Sequence, residues 1–308
     1  MPPRLPPRTV LAIFGPTASG KSAVAEAIAA RVPAEVVSAD SMQVYRGLPI
    51  LTAQTAGVLV AVWPLAYEGS VAEYQRLAHR AIDQILADGR TPVVVGGTGL
   101  YVRAALAELE LPPAPPEGAR RRWEAFYDER GGDDAHRHLT AIDAAAAERI
   151  HPNDRRRVVR ALELAEAGLS LAREQDRLWT GATRHPTVIV GLEVPKDVLE
   201  RRIQARARSM FERGVEEEVR AALAQPISAT ARKVMGLEEI ATLPREQALE
   251  ALVVRTRQYA AYQRKWMRRI PGVVMVAADR PPEETADAIL EVARARQQLS
   301  AAGAERPR

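Results

Sequence analysis

The chain has 308 residues, enough for one large domain or two modest ones. Apolar residues make up 47% and charged residues 27%, near the globular averages of about 45–50% and about 25%, so wholesale disorder and a fibrous repeat are excluded; the lack of cysteine excludes disulfides, zinc–thiolate fingers and thiolate catalysis. The formal charge of +4 allows a nucleic-acid partner without demanding one.

No apolar run reaches the ~18 residues of a membrane span, and MPPRLPPR lacks the apolar region of a secretory signal. A disordered lead-in over 1–8, no membrane partner and a cytoplasmic location are expected. Residues 9–14 (TVLAIF) read as a buried strand, followed by a glycine-rich turn and a helix to about Arg31. A second strand over 35–39 ends at Asp40, and 71–88 has helical periodicity with Val71, Tyr74, Ala78, Ile82 and Ile85 on one face. Pro92 to Val95 reads as a third strand running into Gly96-Gly97, with a helix from near Gly99. Strands alternating with helices predict an α/β fold with a parallel sheet.

At Leu111 the segment LPPAPPEG marks a boundary. From Ala119 to about Thr183 the pattern is helical, so 112–185 reads as an all-helical insertion in a discontinuous core of 9–111 and 186–298. Within it, His136 and His138 near Asp133 and Asp134 read as a polar surface loop rather than a metal site. A strand at 187–194, helices at about 195–224, 231–241 and 245–269, a strand at 273–276, a helix at 281–298 and a frayed tail over 299–308 complete the chain.

Gly15-Pro16-Thr17-Ala18-Ser19-Gly20-Lys21-Ser22 matches G-x-x-x-x-G-K-[ST] between a strand and a helix. The glycines let backbone N–H groups converge on an anion at the positive end of a helix. Lys21 supplies a full charge, and the Ser22 hydroxyl can hold Mg²⁺. Only four of the 43 basic residues are lysines, so a lysine at a motif position carries more information than any one arginine. Ordinary P-loop NTPases also place a carboxylate at the end of a later strand. Here the strand at 92–95 runs into Gly96-Gly97-Thr98 without one, and the carboxylate on offer is Asp40. Strand C-termini line the ligand crevice of such a sheet, so Asp40 and Thr98 should both face the P-loop. On residue type alone, Asp40 could equally cap a helix or contact Mg²⁺, and Thr98 could be a capping hydroxyl.

GPTASGKS at 15–22, SADSMQVYRGL at 38–48, VGGTGLYVRAAL at 95–106, AERIHPNDRRRVVRALEL at 147–164, RARSMFERGVEEEV at 206–219 and TRQYAAYQRKW at 256–266 together resemble the tRNA dimethylallyltransferase (tRNA isopentenyltransferase) family, in its bacterial form. The resemblance implies a P-loop NTPase-like parallel sheet flanked by helices. It also implies transfer of a dimethylallyl group from dimethylallyl diphosphate to N6 of the adenosine just 3′ of the anticodon. The P-loop residues would grip the leaving diphosphate with Mg²⁺, Asp40 would act as general base, and Thr98 would bond the substrate at the reacting centre. Asp40, Ser41, Met42, Gln43 and Thr98 would contact the target base and its neighbours. Arg120 and the stretch Arg156, Arg157, Val158, Val159 and Arg160 would contact the anticodon arm. Read from its residues alone, that stretch is equally a solvated helix face capped by Asn153 or Asp154, with Arg160 paired to Glu163. A monomer is expected.

On the C-terminal helix, Arg255, Tyr259, Tyr262 and Trp266 share a stripe that reads as core rather than a base-stacking platform, with Arg257, Arg264 and Arg268 on another face as candidate phosphate contacts. The chain also departs from the family. PILTAQTAGVLVAVWPLAYEGS stands after Leu48 in place of a DIGTAKP segment and a later PHHLID, and Ala260-Ala261-Tyr262-Gln263 replaces AKRQ. Rival readings are an ATP-binding small-molecule kinase, an enzyme prenylating free adenine nucleotides, and a non-catalytic RNA-binding NTPase switch.

Overall fold

The computed structural model describes residues 8–112, 118–172 and 180–304, with side chains to 296. The expected lead-in, apart from Arg8, lies outside the described residues, as do the last four residues of the expected tail and much of the proline-rich boundary. The described residues form two compact units, one within 1–109 and 178–308 and the other within 110–177.

The first unit is built on five parallel strands in the order β2-β3-β1-β4-β5. These are β1 (Val10–Phe14), β2 (Ala34–Ala39), β3 (Thr91–Gly96), β4 (Thr187–Glu193) and β5 (Val274–Ala277). β1 and β3 are buried at every residue, as near-continuous apolar runs covered on both faces should be. The chain leaves β1 through α1 (Lys21–Ala29) and returns as β2 two places away, leaving the gap that β3 fills after α2 (Val71–Ala87). Register then aligns three chain positions: Phe14 pairs with Gly96, and Ala39 pairs with Gly96. The residues immediately beyond this row are Gly15, Asp40 and Gly97, so the P-loop, the carboxylate and the Gly97-Thr98 turn emerge side by side. α3 (Gly99–Leu106) follows that turn.

β2 is an edge strand, and the divergent segment after Leu48 covers it. Ser38 N–H donates to Val58 O (2.9 Å) and Val58 N–H to Val36 O (2.8 Å), a short bridge that blunts the edge. The core joins β1, β3 and β4 to α1, α8 (Lys196–Glu212) and α12 (Pro282–Ala304) through Ile13, Ile28, Val190, Leu199, Ile203 and Ile289. The helix expected over 195–224 is broken at Gly214 (φ +87°), after which α9 (Val215–Leu223) begins. The helix expected at 231–241 is a 3₁₀ turn (Ala231–Lys233), then Gly236 at φ +91° and α10 (Leu237–Thr242). α11 (Arg245–Met267) is the long strut that reaches back to the P-loop, and α12 runs to Ala304, past the expected fraying at 299.

Among its described residues the second unit holds helices and no strand: α4 (Ala119–Arg130), α5 (Gly132–Ile142), α6 (Ala144–Ala147) and α7 (Arg155–Glu166). Leu139, Ile150, Val158 and Leu162 form its core, with Trp123 and Phe126 packed against it. His136 and His138 lie on α5 rather than in a loop. His136 Nε2 sits 2.8 Å from Ile150 O, and the His138 ring packs on Trp123 and Phe126. Both are structural side chains, and among the described residues no three His, Asp or Glu groups converge to hold a metal.

Candidate functional site

The P-loop is a strained turn latched from within and from two helices. Ala18 takes φ +66°, a left-handed conformation uncommon for a residue with a Cβ. Lys21 Nζ donates to Pro16 O across the loop (2.8 Å). From α8, Arg202 Nη1 donates to Ser19 O (3.3 Å) and to Ala278 O (3.1 Å). From α11, Gln263 Oε1 accepts from Thr17 N–H at 2.7 Å, although the two residues stand 246 apart in sequence. Gly97 and Gly99 let α11 approach this closely. A Cβ on Gly97 would lie 2.2 Å from Gln263 Nε2, and one on Gly99 would lie 2.0 Å from the Trp266 ring.

Burial pushes the Lys21 ammonium down to about 7; the Asp40 carboxylate opposes the shift and the Arg206 guanidinium reinforces it. Burial also lowers Arg206 on α8, again opposed by Asp40. Two poorly solvated cations thus share the field of one carboxylate beside a P-loop, an electrostatic setting made for a multiply charged anion. Asp40 is half-buried, and its Oδ1 accepts from Met42 N–H (2.9 Å) and Gln43 N–H (3.4 Å), fixing the carboxylate in a tight turn. Asp40 therefore caps a turn and not a helix.

Gln43 is committed inside the protein. Its Oε1 accepts from Ser38 Oγ (3.1 Å), and its Nε2 donates to Ala53 O (3.0 Å) and Thr52 O (3.3 Å). Glu218 on α9 accepts from Ile50 N–H (2.7 Å) and Leu51 N–H (2.8 Å), so the divergent loop is anchored at both ends of this stretch.

Thr98 stands at the N-terminus of α3, but its side chain makes no capping bond. Its Oγ1 lies 2.9 Å from the Tyr259 hydroxyl. Burial and then the Asp40 charge push Tyr259 up to about 12. Tyr74 and Tyr101 are also pushed up, both chiefly by burial and both within the field of Asp40. The expected core stripe on α11 is overturned. The buried positions are Leu252, Thr256, Ala260, Gln263 and Met267, whereas Tyr259 is half-buried against Thr98 and Tyr262 is 54% exposed. Arg257 and Arg264, expected to be free for phosphates, are engaged with Glu200 (2.5 Å) and Val194 O (3.1 Å).

In the helical unit, Asp154 caps α7 by accepting from Arg157 N–H (3.2 Å). Arg156 and Arg157 are exposed. Val158 and Val159 are buried, so their side chains face the protein interior and not a ligand. Arg120 and Arg160 converge on Glu163, whose carboxylate is wholly buried, at 2.7 Å and 2.8 Å.

Three functional candidates escaped sequence reasoning. Arg206 is one arginine in an arginine-rich chain, and its only signal was the RARSMFERG segment. Tyr259 was assigned to the core by its aromatic spacing. Gln263 was noted as part of a departed motif and given no role.

The IPP transferase family model matches residues 43–270, and an isopentenyl transferase model matches residues 8–56. The chain is 40% identical over 295 residues to a tRNA dimethylallyltransferase of Thermobifida fusca, covering 89% of this chain and 91% of that one. It is 41% identical over 283 residues to one from Streptomyces coelicolor, covering 87% and 90%. Among solved structures, a tRNA isopentenylpyrophosphate transferase of Bacillus halodurans superposes with a TM-score of 0.67 at 32% identity, covering 96% of this chain and all of that one. A eukaryotic dimethylallyltransferase acting on tRNA superposes at 0.69 with 26% identity, covering 88% and 74%. With a family model matched over 43–270 and relatives matched along nearly their whole length, the chain belongs to the IPP transferase family.

Proposed function

We propose that this protein transfers a dimethylallyl group from dimethylallyl diphosphate to N6 of the adenosine immediately 3′ of a tRNA anticodon, releasing diphosphate. The observation that carries this reading is the row of strand ends, which sets one fixed carboxylate, Asp40, against the P-loop and the cations Lys21 and Arg206. The C1–O bond of the allylic donor breaks with its electron pair left on the diphosphate. The N6–C1 bond forms, and the N6 proton passes to Asp40. The adenine amine is a weak nucleophile because its lone pair is delocalised, so a positioned base has work to do at the moment of attack. P-loop N–H groups, Lys21 and Arg206 stabilise charge as it grows on the leaving group. Thr98, beside them, bonds the substrate at the reacting centre. The target base leaves its stack to reach a site at the sheet edge.

Mg²⁺ is part of this reading. The described residues offer no three-carboxylate cage, and the Ser22 hydroxyl with diphosphate oxygens is the donor set suited to an ion shared with its substrate. When bound, the ion supplies further neutralisation of diphosphate charge. Arg156 and Arg157, with Arg120 and Arg160 oriented by Glu163, supply phosphate contacts to the anticodon arm. In the same proposal the protein is a monomer working where tRNA is, in the cytoplasm. Among the described residues no helix is long and apolar enough to cross a membrane. A small-molecule kinase fits less well, since β3 ends in Gly96 and runs into Gly97-Thr98 without the carboxylate such enzymes place there.

The test is label transfer. Protein, Mg²⁺, labelled dimethylallyl diphosphate and unmodified tRNA with adenosine 3′ of the anticodon should give RNA-bound label, lost with Asp40→Ala. Unlabelled tRNA accompanied by ATP hydrolysis would overturn the reading.

A further inference from the structure

Beyond the groups already assigned, Thr98 is the end of a chain of hydrogen bonds whose direction can be deduced. Gln263 is 2% exposed, and its Oε1 accepts from the backbone N–H of Thr17 at 2.7 Å. A backbone N–H can only donate, so it decides which end of the amide faces the P-loop. The other end, Nε2, is a donor only, and it is turned toward Gly97. Tyr259 stands one helical turn before Gln263 on α11, and the Gln263 side chain holds the phenol pKa down against burial, as a donor to the phenol oxygen does. As acceptor of the Gln263 amide N–H, the Tyr259 oxygen must direct its own O–H elsewhere. Its partner is Thr98 Oγ1 at 2.9 Å. The phenol remains protonated across the working range, so that proton is always present to be donated. Thr98 Oγ1, as acceptor, retains a single proton of its own. Its oxygen accepts no capping bond from α3 either, so Tyr259 is the donor it faces.

We propose that Gln263 and Tyr259 are positioning residues that polarise Thr98, so that its hydroxyl donates into the site, onto a diphosphate oxygen of the allylic donor, as the C1–O bond breaks. Thr98 gives a hydrogen bond and keeps its proton; the charge it meets is that of the departing diphosphate. The same amide ties the P-loop to α11, so the grip on the diphosphate and the aim of Thr98 are set by one side chain. This inference rests on the transferase reading.

The experiment is a double-mutant cycle on the single-turnover rate of label transfer, with the full chain, Mg²⁺, dimethylallyl diphosphate and tRNA. Tyr259→Phe keeps the ring and removes the donor. It should lower the rate roughly ten-fold, the scale of one well-placed hydrogen bond, with KM for dimethylallyl diphosphate within about two-fold. Gln263→Glu still accepts from Thr17 N–H but no longer donates to Tyr259; it should lower the saturated single-turnover rate through Thr98 and, because its carboxylate faces the P-loop anion, also raise KM for the donor. In a Thr98→Val background both changes should cost nothing more, because no hydroxyl is left to aim. In a Thr98→Ser background both losses should return. Losses of equal size with and without the Thr98 hydroxyl would overturn the proposal, as would wild-type rates in Tyr259→Phe or a change confined to KM. Thermal unfolding of each variant separates lost folding from lost aim. If the unmodified protein transfers no label, it is the transferase reading that fails.

Discussion

The α/β unit and the helical unit both present arginines and carboxylates, but they hold them differently. Around the P-loop the charges are few, poorly solvated and set against one another. Lys21 and Arg206 are both perturbed by burial, and Asp40 is pinned by two backbone N–H groups. On α4 and α7 the charges are many and largely exposed, apart from Arg120 and Arg160, which are gathered on Glu163. The first arrangement concentrates free energy in single groups, since electrostatics strengthens where water is excluded. The second spreads it over contacts that each contribute little and that salt can screen. Chemistry needs the first arrangement, and a long polyanion can be held by the second.

The largest effect should come from the fixed carboxylate. Asp40→Asn keeps an oxygen to accept from Met42 and Gln43, so the turn survives, but the base is gone. The transfer rate should fall by about 10²–10⁴ with thermal stability unchanged. A loss under ten-fold would mean the proton leaves by another route and would break the contrast between the two units.

Next is Glu163, the one place where the helical unit resembles the active site. Its carboxylate is wholly buried, while the Arg120 and Arg160 side chains are 43% and 20% exposed. Glu163→Gln should cost about 2 kcal/mol, less than the ~3–5 for breaking a fully buried pair, because both cations can regain some water. Amide exchange in α4 and α7 should quicken about thirty-fold while the sheet is unaffected. Unchanged exchange would make the cluster a surface pair.

The pH dependence of donor binding is the third. With Lys21 at about 7 in the free protein, its charge is lost as pH rises through that value. A bound diphosphate favours the charged form, so binding above pH 7 takes up a proton. Affinity for dimethylallyl diphosphate should fall by up to about ten-fold per pH unit there. Calorimetry at pH 8 in two buffers of different ionisation enthalpy should show uptake approaching one proton, and none with Lys21→Met. Uptake that survives the substitution would assign the titration to another group.

Much of this was legible in the chain, for identifiable reasons. β1, the P-loop and α1 were readable because apolar run, glycine turn and Gly-Lys-Ser are local features. The order of the first three strands and their loops also followed from local pattern. The row Phe14, Gly96 and Ala39 did not, because register is decided by pairing across the sheet. Gln263 and Thr17 meet across 246 residues, a distance no local period spans. The aromatic stripe on α11 misled for a related reason. Spacing shows which residues share a face but not which face is covered, and the covered face here includes Thr256 and Gln263. Arg206 was hidden by composition, one arginine among many until the fold sets it in the field of Asp40 beside Lys21.

The smallest effects belong to the exposed arginines, and they are the sharpest test of the contrast. Arg156→Ala and Arg157→Ala remove side chains whose loss should change stability by less than about 0.5 kcal/mol. Each should weaken tRNA binding only a few-fold near physiological salt, with the single-turnover rate at saturating tRNA unchanged. The diagnostic quantity is the slope of log affinity against log salt. If each guanidinium neutralises one phosphate, each substitution should lower the slope by about 0.7–0.9, and the double variant by twice that. Additivity would mean these charges act independently, as screened surface groups do. A combined loss well beyond additive would mean they form one organised site, and α7 would then work by the same principle as the P-loop it was contrasted with.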